Sequence, residues 1–156
     1  MRWAALGAGL LLLACGCGRQ EAPPASAGFT ESGVEVSVTV SGSEVKAVFR
    51  PTRPGFHVYS VDMPDGGVDG LGIPTRVAVR GGLTASGRVT ADKPVRMLDL
   101  PSLGVRLPVY PDGPVALSLP VERSGRSGEV VVSYGACSSG TCLAPVIDRA
   151  VRVRLA

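Results

Sequence analysis

Strict alternation is the feature that most narrows what this chain can fold into. In "VEVSVTV", Val34, Val36, Val38 and Val40 fall on one face of an extended segment, and Glu35, Ser37 and Thr39 fall on the other. Successive side chains of a strand point to opposite faces, so the pattern describes a half-buried β-strand. "EVKAVFR" repeats it with Val45, Ala47 and Phe49 inward. Further strands are expected at residues 56–61, 75–79, 83–89, 105–110, 115–121, 129–134 and 151–155; in the last, Arg152 and Arg154 alternate with Val151, Val153 and Leu155. The 21 glycines and 13 prolines interrupt nearly every apolar run, leaving no window with a 3.6-residue stripe. Eight or nine short strands joined by Gly/Pro turns predict an all-β fold, an immunoglobulin-like antiparallel β-sandwich. The Cys…Trp…Cys arrangement of antibody domains is missing, because the single tryptophan is Trp3. Residues 62–74 and 98–104 mix apolar side chains with breakers and read as loops, where function concentrates.

The N-terminus sets the compartment. Arg2 precedes "WAALGAGLLLLA", an apolar run of signal-peptide length that is too short to span a bilayer. "LLACGCG" follows, and Leu12-Leu13-Ala14-Cys15 resembles a bacterial lipobox, in which the cysteine is lipidated and becomes the mature N-terminus. The domain plan is therefore a signal peptide at 1–14, a lipidated start and flexible tether at 15–28, and a folded domain at 29–156. Cys17 is the alternative lipidation site; its use would remove Cys15, whereas lipidation at Cys15 leaves Cys17 as an odd thiol. Either way the chain is expected in the cell envelope, facing the periplasm, held to the membrane by lipid alone. Disulfides form and persist there. Net charge is +3, or +2 once Arg2 leaves with the signal, too small and too scattered to suggest nucleic acid.

The chemistry-bearing residues sit late, in "SYGACSSGTCLAPV", where Cys137 and Cys142 are separated by Ser138, Ser139, Gly140 and Thr141. A structural bridge here would close a loop of about six residues and contribute roughly 2 kcal/mol, against nearly 5 for a loop of about 100. A metal site lacks ligands, since His57 is the only histidine, and no metal or other cofactor is expected. Cysteine–histidine catalysis would need a free thiolate beside His57, which a neighbouring cysteine in an oxidising compartment tends to consume. The redox alternative rests on access: small, polar loop residues leave the bond open to an incoming thiolate. Leu143, Ala144 and Pro145 then offer an apolar edge on which a protein could dock.

Four segments, in order, resemble the N-terminal periplasmic domain of the thiol:disulfide interchange reductase DsbD. They are "PGFHVYS", "GLGIPTRV", "VYPDGPVALSLPV" and "VSYGACSSGTCLAPV". The resemblance covers residues 29–156 and implies an immunoglobulin-like sandwich carrying a redox pair in a loop. It implies that Cys142 forms mixed disulfides with partners and Cys137 resolves them, supported by Tyr59, His57 and Tyr134. It further implies a cap over the reduced thiols at residues 98–104, with Asp99, Leu100 and Leu103 as candidates. Ala144 departs from the family, which has proline there. The family's membrane electron channel and C-terminal thioredoxin domain have no counterpart in this sequence. The expectation is thus a stand-alone, lipid-tethered relay, reduced in trans by a membrane thiol reductase or thioredoxin-fold protein. The competing expectation is a non-enzymatic lipoprotein binding module whose disulfide fixes a local loop.

Overall fold

The computed structural model describes residues 25–155, and the lipidation candidates Cys15 and Cys17 lie outside that range. Eleven strands follow one another: β1 (Ala25–Glu31), β2 (Val34–Ser41), β3 (Glu44–Pro51), β4 (His57–Val58), β5 (Arg76–Ala85), β6 (Thr90–Ala91), β7 (Arg96–Leu100), β8 (Val105–Val109), β9 (Val115–Tyr134), β10 (Ala136–Cys137) and β11 (Val146–Arg154). There is no helix among the described residues. The main sheet runs β1-β2-β3-β9-β11, with β5 and β6 also pairing β9; β4 pairs β10, and β7 pairs β8. All pairings are antiparallel. The architecture is the expected all-β, immunoglobulin-like sandwich.

Strand β9 makes the two layers. Its 20 residues, if straight, would part its ends by roughly 60 Å at about 3.3 Å per residue. Val115 at one end pairs with Phe49, while the ring of Tyr134 at the other end lies 5.4 Å from the Phe49 ring. The strand must therefore fold back on itself. The turn falls at residues 122–127, all exposed, where Gly125 has φ +79° and β5 answers with a register break between Gly81 and Leu83. Between the layers lie the alternating residues that the sequence marks as inward: Val34, Val36, Val38, Val40, Val45, Ala47 and Phe49, with Leu117 beside Ala47 in the same layer and Val130, Val132 and Tyr134 on the second half of β9. Each fully buried valine or leucine contributes about 1.5–3 kcal/mol relative to exposure.

The structure departs from the sequence expectations in four places. The segments 75–79 and 83–89 contribute to one continuous strand, β5, because the ladder that reaches Gly81 resumes at Leu83, residues 124–127 being taken up by β9 opposite Gly82. Residues 115–121 and 129–134 likewise merge into β9. The stretch 98–104 is no loop: Arg96–Leu100 and Val105–Val109 form a hairpin, and Pro101 and Gly104 belong to its turn. Finally, β1 begins at Ala25, inside the segment read as tether, since Ala25, Ala27 and Phe29 continue the inward alternation.

Candidate functional site

The end of β9 delivers the cysteines. After Tyr134 and Gly135 the chain forms β10, and Cys137 sits directly opposite Cys142. The intervening turn closes through its own hydrogen bonds. Ser138 N–H donates to the Thr141 carbonyl at 2.8 Å, and the Ser138 hydroxyl oxygen accepts from the N–H groups of Gly140 and Thr141 at 3.3 and 3.2 Å. Serine side chains favour such local turns. Leu143 N–H then donates to the Ala136 carbonyl at 2.9 Å, holding the outgoing chain alongside the incoming one. Cys137 and Cys142 are disulfide-bonded, with Cα atoms 4.0 Å apart.

The two sulfurs live in different environments. Cys137 is 0 % exposed and packs with Tyr59, Met63, Leu100, Val105, Leu107 and Val109 in a second, smaller core. Cys142 is exposed. The Tyr59 hydroxyl donates to Cys137 Sγ at 2.5 Å, the disulfide sulfur having no proton of its own. Tyr59 is held from both sides of its backbone: its N–H donates to the Gly135 carbonyl at 3.1 Å, and the Thr75 hydroxyl donates to its carbonyl at 2.5 Å. Burial pushes the Tyr59 phenol above its ordinary value of 10, so it stays protonated and able to donate across the physiological range.

His57 faces Cys137 across the β4–β10 pair, yet its ring is engaged elsewhere. Nδ1 lies 3.1 Å from the Tyr110 carbonyl and Nε2 lies 3.3 Å from the Asp112 carboxylate. Its contribution is to fix β4 against the chain at 110–112. Tyr134 lies in the main core, its ring against Phe29 and Phe49 and its hydroxyl donating to the Glu31 carbonyl at 3.0 Å. The structure therefore brings Tyr59 to the sulfur pair and directs the polar atoms of His57 and Tyr134 to other partners. Among the described residues no group of three or more His, Cys, Asp or Glu could hold a metal ion.

Of the cap candidates, Leu100 is 2 % exposed and shares the small core with Cys137. Leu103 is 55 % exposed at the hairpin turn. Asp99 faces solvent and pairs across the hairpin with Arg106 at 2.9 Å. The hairpin joins the site through β8: Ser60 N–H donates to the Pro108 carbonyl and Tyr110 N–H to the Val58 carbonyl, both at 2.9 Å.

Sequence reasoning missed the residues that make room for Tyr59. A Cβ added to Gly135 would lie 2.7 Å from Tyr59 Cε2, and one on Gly72 would lie 3.1 Å from Tyr59 Cζ and 2.7 Å from Met63 Sδ. Gly72 also has φ +80°, a conformation that L side chains rarely adopt. The available signal was a glycine interrupting a strand-like run in "SYGAC", which often marks close approach by another group. The loop 62–74 is organised by a tight turn in which Val68 and Leu71 exchange N–H···O bonds of 2.9 Å around Asp69 and Gly70, both at positive φ.

No protein-family model matches the sequence, and no curated protein matches it. Solved structures do. The reduced N-terminal domain of DsbD from Neisseria meningitidis superposes with a TM-score of 0.54 at 17 % identity, covering 79 % of this chain and 84 % of that one. The N-terminal periplasmic domain of ScsB from Proteus mirabilis gives 0.55 at 16 % identity, over 84 % of this chain and 51 % of that one, so this chain spans about half of it. The fold on which the Cys137–Cys142 disulfide and Tyr59 are mounted is that of the DsbD N-terminal domain.

Proposed function

We propose that the domain is a thiol–disulfide relay of the periplasm, tethered to a membrane by a lipid on Cys15 or Cys17. The observation that carries this reading is the inequality of the two sulfurs: Cys142 exposed, Cys137 buried under a phenol. An incoming thiolate can reach only Cys142. Its attack forms a mixed disulfide and breaks the Cys137–Cys142 bond, so Cys137 leaves with the electron pair and takes a proton. The partner's second thiol then attacks the mixed disulfide and frees Cys142. Two electrons and two protons have moved onto the domain, and the partner holds the disulfide. Run backward against a client disulfide, the same steps pass the electrons on. Tyr59 steadies the leaving sulfur, and the β7–β8 hairpin keeps Cys137 from oxidants. Thioredoxin-fold proteins or a membrane thiol reductase would supply the electrons.

The fold suits a tether. Ala25 pairs with Val40 at one end of β1, and Glu31 pairs with Val34 at the other, where Tyr134 donates to the Glu31 carbonyl. Six steps of about 3.4 Å place the start of β1 roughly 20 Å from the end that carries the cysteines. A lipid attached before β1 would leave the disulfide pointing away from the membrane.

Redox titration tests the proposal. A relay disulfide should have a potential above about −300 mV, whereas a structural bridge in a binding module should lie below it. Cys137→Ser should accumulate mixed disulfides with thioredoxin-fold proteins, and Cys142→Ser should not. Equal trapping by the two variants would remove the assigned roles.

A further inference from the structure

We propose that the hollow beside Ile147 is the docking site for the relay's redox partner, receiving an apolar side chain of the protein whose thiolate attacks Cys142. This inference rests on the relay reading and adds where the partner is recognised. Ile147 is 65 % exposed, the most exposed large apolar side chain among the described residues. The backbone holds it there. Val146 pairs with Tyr134, and the register then slips before Arg149, so Ile147 and Asp148 form a bulge. Asp148 has φ +49° and is clamped to Ser133, whose hydroxyl accepts from Asp148 N–H at 2.9 Å.

Ile147, Ile73 and Pro74 wall a hollow of about 220 Å³. Its polar neighbours are already engaged: the Ser133 hydroxyl with Asp148, and Arg76 with Asp65. No group in the hollow needs a polar ligand, so its fitting occupant is an apolar side chain, ringed by the Arg76–Asp65 pair and Asp148. Apolar side chains within a polar rim are the anatomy of a protein interface.

Position identifies the occupant as the redox partner. Ile147 lies five residues after the exposed sulfur, so the two are at most about 18 Å apart. The intervening segment is held beside the end of β9 by the Leu143–Ala136 hydrogen bond and the Val146–Tyr134 pairing. A standard interface covers about 800 Å² on each partner, a patch roughly 30 Å across. A protein joined to Cys142 covers Ile147 as well, provided it lies along this segment. Met97 and Leu103 are exposed too, but on the hairpin whose inner side packs with buried Cys137.

The test compares reduction rates of the full chain by reduced thioredoxin and by dithiothreitol. Ile147→Asp and Ile147→Ala should lower the thioredoxin rate, by about tenfold or more for aspartate, and leave the dithiothreitol rate unchanged. The exposed position keeps folding out of the result, and matching circular dichroism melts would verify this. An unchanged thioredoxin rate overturns the proposal, as does an equal fall with both reductants, which would place the effect on the sulfur itself. Loss of the thioredoxin rate in Met97→Ser or Leu103→Ser, with Ile147→Asp intact, would move docking to the hairpin and also overturn it. Failure of the relay reading appears earlier and separately, as a wild-type potential below about −300 mV. A wild-type disulfide that opens to dithiothreitol but never to thioredoxin refutes recognition at this hollow.

Discussion

Replacing Tyr59 by phenylalanine isolates what the phenol does for the leaving sulfur. The ring stays in its slot between Gly72 and Gly135, and only the hydroxyl donating to Cys137 Sγ is lost. In the oxidised domain that bond joins two neutral groups and contributes about 1 kcal/mol. When a thiolate attacks Cys142, negative charge grows on Cys137, and a hydrogen bond to a fully charged acceptor contributes about 1.5–3 kcal/mol. The bond already contributes about 1 kcal/mol in the oxidised state, so with roughly half of the charge developed at the transition state Tyr59 should lower the barrier by about 0.3–1 kcal/mol. Tyr59→Phe should therefore slow reduction by dithiothreitol about 1.5- to fivefold, with melting of the oxidised form lowered only slightly. Once the Cys137 thiol is ionised, the bond contributes about 0.5–2 kcal/mol more than in the oxidised form, and its loss should make the potential more negative by about 10–45 mV. Stopped-flow reduction followed by thiol labelling reads the rate, and equilibration with a dithiol buffer at alkaline pH reads the potential. A rate equal to or faster than wild type would refute the assignment of Tyr59 to the leaving sulfur and leave it a packing residue.

Reduction itself should leave the sandwich folded, at a cost of about 2 kcal/mol or less, because the closed loop is short; a melt in dithiothreitol that shows global unfolding would make the bond a staple. Leu100→Ala should destabilise the domain by about 2–5 kcal/mol and speed oxidation of the reduced pair by small oxidants, since Leu100 is buried in the core that holds Cys137. Leu103→Ser should stay within about 0.5 kcal/mol of wild type by denaturant titration, because that side chain faces water. All three tyrosines of the chain are pushed above their ordinary value of 10, chiefly by burial, and Tyr134 to about 12. Above pH 10 the unfolded chain loses its phenolic protons first. Stability that is intact below pH 10 should then fall as pH rises towards about 12, visible as a lower urea midpoint near pH 11 than near pH 9.

The layers of the fold were legible because burial acts on one face of each strand. Val34 to Val40 and Val45 to Phe49 announce their faces without reference to any neighbour. Continuity was not legible. "ERSGRS" at 122–127 has the composition of a turn, and pairing of its ends with β5 and β11, with residues 124–127 bulging opposite Gly82, keeps it within one strand. The hairpin at 96–109 was hidden for a related reason. Pro101 and Gly104 look like breakers of a loop, while Leu98, Leu100, Val105, Leu107 and Val109 carry an alternation that becomes visible once the turn is placed between them.

The cysteine pair was legible from spacing, but the inequality of its sulfurs was not. Nothing in "CSSGTC" states which thiol will be covered, because the cover is made by residues far away in sequence: Tyr59 and Met63 before the pair by more than seventy positions, Leu100 and Leu107 by some thirty or more. Local spacing can report that a bond forms; only long-range packing decides which of its atoms meets solvent. The same separation gives the proposed relay its physical basis. The valine core that holds the layers together does not pass through the disulfide, and the turn at 138–141 closes on its own hydrogen bonds. A bond whose loop contributes only about 2 kcal/mol can be opened at little cost in stability, which is what the proposed relay requires of it.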